Sequence, residues 1–283
     1  MNARDSELRR AVRSFFRSKS ATIGLVLFMC VVSIAILARW IAPYEPLDTD
    51  FTSILSPPSA VHFFGTDQLG RDVFSRVLHG SAIALEIGGL SIAIALVFGV
   101  PLGAIGGFYG PFTAGTIMRV MDALLALPPL LLAMTLVVIL GPNLLNTSLA
   151  LGIVYVPRFA RVARAAVLTQ SHAQYVEAAF AIGRTRSAVL FRHILPNCLS
   201  TLIVQSTVEF PVAIITAASL NFLGVGTSPS TPSWGLMLSR GRQFMSDFPH
   251  VIVFPALFLS VTVLSLNLLG DGLRDALDVR GRI

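Results

Sequence analysis

Few groups in this 283-residue sequence could do covalent chemistry, and they lie far apart. The five histidines, His62, His79, His172, His193 and His250, are scattered, with no His-Glu-x-x-His pair to seat zinc. No Gly-x-Ser-x-Gly elbow presents a serine nucleophile. A phosphate cradle of the form Gly-x-x-x-x-Gly-Lys-Ser/Thr needs a lysine among glycines. The single lysine, Lys19, follows Arg17-Ser18 with no glycine near. Cys30 and Cys198 imply neither a metal site nor a disulfide. Two features remain. Glu209 falls midway along an apolar run beside Pro211, and the stretch from Tyr175 to Ser200 reads YVEAAFAIGRTRSAVLFRHILPNCLS, a polar insertion in a chain that is otherwise mostly hydrocarbon. Chemistry of this kind is that of binding and movement, not bond breaking.

The elements that position these residues follow from composition. Apolar residues make up 54% of the chain and charged residues only 13%, with a mean hydropathy of +0.76. Soluble domains carry roughly 25% charged residues, so the bilayer is the expected solvent. The net charge of +6 is almost all arginine, with no Lys/Arg stripe interleaved with aromatics, and nucleic acid is not an expected partner. A crossing helix needs about 20 apolar residues. Six stretches approach that length: 22–42, 82–108, 117–140, 144–165, 200–223 and 250–270. The fourth is the weakest, because it runs into Arg158, Arg161 and Arg164, which can snorkel toward headgroups. A five-span reading is the alternative. The basic-then-apolar start lacks a small-x-small cleavage site after Leu37 and is read as a retained first span.

Charge asymmetry favours six spans. The tail before Ala21 carries six basic against two acidic side chains, segment 43–81 two against five, and segment 158–198 six against one. Positive loops face the cytoplasm. Both termini and the polar segment are therefore expected inside, and 43–81 outside. The expected organisation is a tail over 1–21, a first span over 22–42, an outer segment over 43–81, a five-span core over 82–270 with the polar segment at 170–198, and a closing tail over 271–283.

Within the polar segment Val176, Ala179, Phe180 and Gly183 recur at helical spacing. Gly183 permits a bend. The run Ser187–Ile194 is helix-compatible again, with Leu190, Phe191 and Ile194 on one side, and Pro196 is expected to break the helix before the next span. Two short helices across the membrane face follow, and an interfacial helix resting on anionic lipid would look the same.

The residues Glu177-Ala178-Ala179, then Gly183, then His193-Ile194-Leu195-Pro196-Asn197 resemble the EAA loop of ABC-importer permeases. His193 stands where that pattern commonly has Ile, which is similar to the peptide and nickel branch. Gly65-Thr66-Asp67-Gln68-Leu69-Gly70-Arg71-Asp72 resembles the segment after the first span in the second permease subunit of dipeptide and oligopeptide importers. Ser219–Gly224, Pro232–Gly235 and Asn267–Asp275 fit the same subunit.

The resemblance implies an all-α membrane protein of the type I importer fold, with six spans and cytoplasmic coupling helices, in a bacterial inner membrane. It also implies a subunit without enzyme activity. It would bind no cofactor itself, with ATP and magnesium held by one or two cytoplasmic ATPase partners. A related permease and a periplasmic binding protein would complete the system, and lipid would surround it. Glu177, Ala178, Ala179, Gly183, His193, Leu195 and Pro196 become the coupling site. Gly65, Thr66, Asp67, Gly70, Arg71 and Asp72 become an outer motif touching the binding protein or the second permease. Peptides lead as cargo; the alternatives are the same architecture importing nickel or another small solute, or a stand-alone secondary transporter or channel.

Some positions stay local. Glu209 is read either as a pathway residue or as a carboxyl buried against a polar neighbour. Arg119 and Asp122 suit an i, i+3 pair, Glu86 an interfacial place, and Trp234 an interfacial anchor. Gly88, Gly89, Gly99, Gly103, Gly106 and Gly107 suit helix packing.

Overall fold

The computed structural model describes residues 14–277. Most of the expected N-terminal tail and residues 278–283 of the closing tail lie outside that range. Among the described residues the architecture is helical, with one isolated β-bridge, Thr66 to Asp72. The helices are α1 (Lys19–Ile41), α2 (Val73–Phe108), α3 (Pro111–Leu125), α4 (Pro129–Leu140), α5 (Leu144–Ser171), α6 (Gln174–Ala181), α7 (Arg186–Val189), α8 (Leu195–Phe222), α9 (Trp234–Gly241) and α10 (His250–Leu277). A π turn over Leu190–Ile194 joins α7 to α8.

Helices α2 and α5 form the spine, and glycine makes it possible. Gly99, Gly103 and Gly107 recur every fourth residue and face Val156–Phe159, Ala160–Ala163 and Arg164–Val167 of α5. A methyl group at Gly103 would strike the Ala160 carbonyl, so the backbones approach as small-residue stripes allow. Around this spine Ile87, Ile92, Val137, Leu151, Tyr155, Phe159, Ala213 and Leu220 close a core shared by α2, α4, α5 and α8. Gly24 seats α1 against the backbone of Leu268 and Leu269 on α10. The packing expectation holds for Gly88, which faces Phe210 and Ile214, but Gly89 faces open space.

Four differences from expectation have local causes. The 117–140 stretch is not one straight span, because α3 and α4 meet at 88° around Leu127-Pro128-Pro129. Consecutive prolines remove donors and push the residue before them out of the helical region. The outer segment expected over 43–81 ends earlier than expected, because α2 begins at Val73 and runs unbroken to Phe108, about 54 Å at 1.5 Å per residue. Pro196 does not break the chain either, since it lies in the first turn of α8. The π turn absorbs it: Leu195 N–H donates to Leu190 five residues back, and Asn197 Nδ2 donates to the His193 carbonyl at 2.7 Å. The count of six spans is not reproduced by length and hydropathy. Among the described residues four helical runs qualify, or five if the bent pair is one span. Helix α5 is excluded by its arginines, yet its apolar face is buried in the centre of the bundle.

Candidate functional site

Three places carry the residues singled out above. The polar segment sits at the end of α2 and α5. Its inner face, Val176 and Ala179, packs with Val189, Leu190, Ile194 and Cys198 onto Ala104 and Val167, and Leu195 borders the same cluster. Phe180 stacks on Phe108 with centroids 6.4 Å apart. Helix α6 ends in a cap in which Arg184 N–H donates to Ala179 and Gly183 N–H to Phe180. That pairing needs a left-handed residue, and Gly183 supplies φ +77°. Thr185 then caps α7 through the Ala188 N–H. The outward surface is left to Glu177, Ala178, Ala181, Ile182, Gly183, Arg184 and Arg186, with Ile182 74% exposed. His193 is half-buried in the π turn and Pro196 is exposed. The apolar stripe is thus partly as expected: Val176 and Ala179 point inward, whereas Gly183 and Phe191 do not. Partial burial raises the Tyr175 phenol above its ordinary range.

At the opposite end of α2 the Gly65–Asp72 motif forms a closed knot. Asp67 Oδ1 accepts from the Leu69 and Arg71 amides, and Oδ2 from Arg71 Nε at 2.8 Å. Asp72 caps α2, taking the Ser75 N–H and hydroxyl at 2.7 Å each, while its other oxygen meets His62 Nδ1 at 3.0 Å. The Thr66 hydroxyl bonds the Ser53 carbonyl and accepts from Ser56 N–H. Gly70, at φ +71°, has no room for a side chain against the Asp50 carbonyl. Thr66, Asp67, Arg71 and Asp72 are all buried, so these side chains fasten the Pro-rich segment to the bundle instead of presenting themselves. Beside the knot lies an open cleft of about 470 Å³ lined by Tyr44, Asp48, Asp50, Val61 and His62, among others. Hydroxyls of Thr52 and Ser53 hold the Asp50 carboxyl below its ordinary range. Trp234 is not an interfacial anchor: it is 2% exposed, lies against Gly80, and donates from Nε1 to the Val77 carbonyl at 3.0 Å.

The third place lies inside the bundle. Glu209 is buried and pairs with Arg158 Nη1 at 2.7 Å, while Gln205 Nε2 donates to its other oxygen at 3.0 Å. Arg158 also lies over the Tyr155 ring, whose hydroxyl meets Thr216 at 3.0 Å. Of the two readings of Glu209 the polar neighbour is present, and it is an arginine expected to reach headgroups. Its neighbour Arg161 pairs with Asp122 at 2.6 Å, so Asp122 is matched across helices and not with Arg119. Nothing in the sequence placed Arg158 beside a residue 51 positions away.

The fold these helices build is that of an ABC-importer permease. A solved inward-facing structure of the MetNI methionine ABC transporter matches with a TM-score of 0.58 and 20% identity, covering 69% of this chain and 93% of that one. Residues 99–283 match the family described as binding-protein-dependent transport system inner membrane component, and residues 6–58 the N-terminal TM domain of oligopeptide transport permease C. The di/tripeptide transport system permease protein DppC of Pseudomonas aeruginosa is 45% identical over 96% of this chain and 92% of its own length. The glutathione transport system permease protein GsiD of Escherichia coli is 43% identical over 94% and 88%. The chain belongs to the binding-protein-dependent transport permeases, as a multi-pass, non-enzymatic membrane subunit whose family works with ATPase and binding-protein partners.

Proposed function

We propose that the chain forms half of the translocation pathway of an ATP-driven importer for short peptides, and that segment 170–198 is where an ATPase subunit takes hold. The observation that carries this reading is the two-sided build of the segment. Val176, Ala179, Leu190 and Ile194 anchor it, and the small, charged and apolar side chains of Glu177, Ala178, Ile182, Gly183 and Arg184 stand free for a partner. Glu177 offers a carboxylate to a cationic side chain across such an interface. ATP and magnesium belong to that partner. Charge asymmetry supports an inside position for the segment and both termini, and an outside position for 43–81, in a bacterial inner membrane. Peptides are favoured as cargo because the relatives are named for di/tripeptide, dipeptide and glutathione transport.

The pathway itself is proposed to run along α8, where Gln205, Glu209, Thr216 and Ser219 share one helical face at steps of four, seven and three. Arg158 keeps a third of its side chain exposed on this chain. A guanidinium at membrane depth does not face lipid at low cost. That surface is covered by water in the pathway or by a second, related permease, and a heterodimer accounts for both.

A tagged pull-down from native membranes in mild detergent tests the reading. The wild type is expected to bring down a second permease and one or two ATPases, and a Glu177→Arg/Gly183→Leu variant to keep the permease and lose the ATPases. Absence of any ATPase with the wild type, in detergent that keeps other membrane complexes intact, overturns it.

A further inference from the structure

The knot at the start of α2 gathers more positive charge than it neutralises. Arg71 meets Asp67 Oδ2 through Nη2 at 2.6 Å, and Arg76 Nε approaches the same oxygen only to 3.7 Å, beyond hydrogen-bond reach. Arg76 is 1% exposed; its Nη1 donates to the Pro46 carbonyl at 2.7 Å, while its Nε has no hydrogen-bond partner among the described residues. Arg240 of α9, held by the Pro229 carbonyl at 2.9 Å, lines the same small cavity. Gln68, Val73, Met237 and Val251 complete its wall. Among the described residues, three guanidiniums thus line one cavity with a single carboxylate, Asp67. The next acid along, Asp72, is already engaged by His62 and Ser75. Guanidinium groups do not escape by losing a proton, and an uncompensated buried charge is strongly destabilising. The Arg240 guanidinium is held below its ordinary range by burial and by neighbouring Arg71.

We propose that this cavity binds one small monovalent anion, of the size and charge of chloride, which accepts from Arg76 Nε and balances Arg71, Arg76 and Arg240. The cavity leaves about 10 Å³ for the centre of a water-sized sphere, room for a single small species. Sulfate, phosphate and peptide carboxylates are too large. A water could accept from Arg76 Nε but brings no charge.

The test uses the complete importer complex purified in detergent and exchanged into sodium gluconate. Thermal unfolding of this subunit, followed by a site-specific fluorophore, is then measured as chloride replaces gluconate at constant ionic strength. A saturable rise of the midpoint by about 2–4 °C is expected, reproduced by bromide, with bromide anomalous scattering located within hydrogen-bond distance of Arg76 Nε. Removing the fully buried Arg76 endangers the fold itself, so the Arg240→Gln variant, at a half-buried position, carries the comparison. Its half-saturating chloride concentration is expected to rise about tenfold. An unchanged midpoint in gluconate and chloride, or the same chloride response in Arg240→Gln, overturns the proposal and leaves water in the cavity.

Discussion

At the scale of single residues, the pair Arg158–Glu209 separates structural from functional contributions. Glu209 is buried and Arg158 is a third exposed. Arg158→Met leaves a buried carboxylate held only by Gln205, and stability is expected to fall by about 3 kcal/mol, the low end for breaking a buried pair. Adding Glu209→Met removes the orphaned charge and is expected to restore most of that loss, as apolar replacement of buried pairs commonly does. Peptide uptake is expected to remain impaired in the double variant if the charges serve the pathway. Chemical denaturation of the purified subunit alongside uptake in proteoliposomes reads both, and normal uptake in the restored double variant removes Glu209 from the pathway.

At the scale of elements, close approach of α2 and α5 is the feature most exposed to substitution. Gly103→Leu drives a side chain into the Ala160 carbonyl and the Ala163 methyl. The protein is then expected to accumulate poorly in the membrane, with a lowered melting midpoint. Gly115→Ala in α3 meets nothing within 4 Å and is expected to be neutral or to stabilise by about 0.5–1 kcal/mol through helix propensity. Quantitative blotting and thermal unfolding check the contrast. Elements were legible where the signal is local: apolar runs announced α1, α2, α8 and α10, and Gly183 announced the turn after α6. They were not legible where packing decides. The bend at Leu127–Pro129 interrupts an apolar run that reads as continuous, and the π turn that carries the chain through Pro196 leaves no mark in composition. The ion partners of Glu209 and Asp122 are 51 and 39 residues away in sequence, and the burial of Trp234 depends on Gly80, across 154 positions. The motif Gly65–Asp72 was visible, but not that its side chains would be spent inward.

At the scale of the whole molecule, family membership places the energy source outside this chain. In vesicles reconstituted with its partners, uptake is expected to require ATP hydrolysis and to persist when ion gradients are dissipated. Initial rates with a non-hydrolysable ATP analogue, and with ionophores, measure both. Uptake that follows an ion gradient and ignores ATP would contradict the assignment.

The unbroken path from Arg186 to Phe222 joins the edge of the proposed docking face to the buried carboxylate as one lever. The arm between Arg186 and Glu209 is about 35 Å long at 1.5 Å per residue. A tilt of about 5° over such an arm shifts its far end by roughly 3 Å, about the length of a hydrogen bond. If an ATPase subunit rotates that end, the Arg158–Glu209 pair, 2.7 Å apart, is expected to part like a latch.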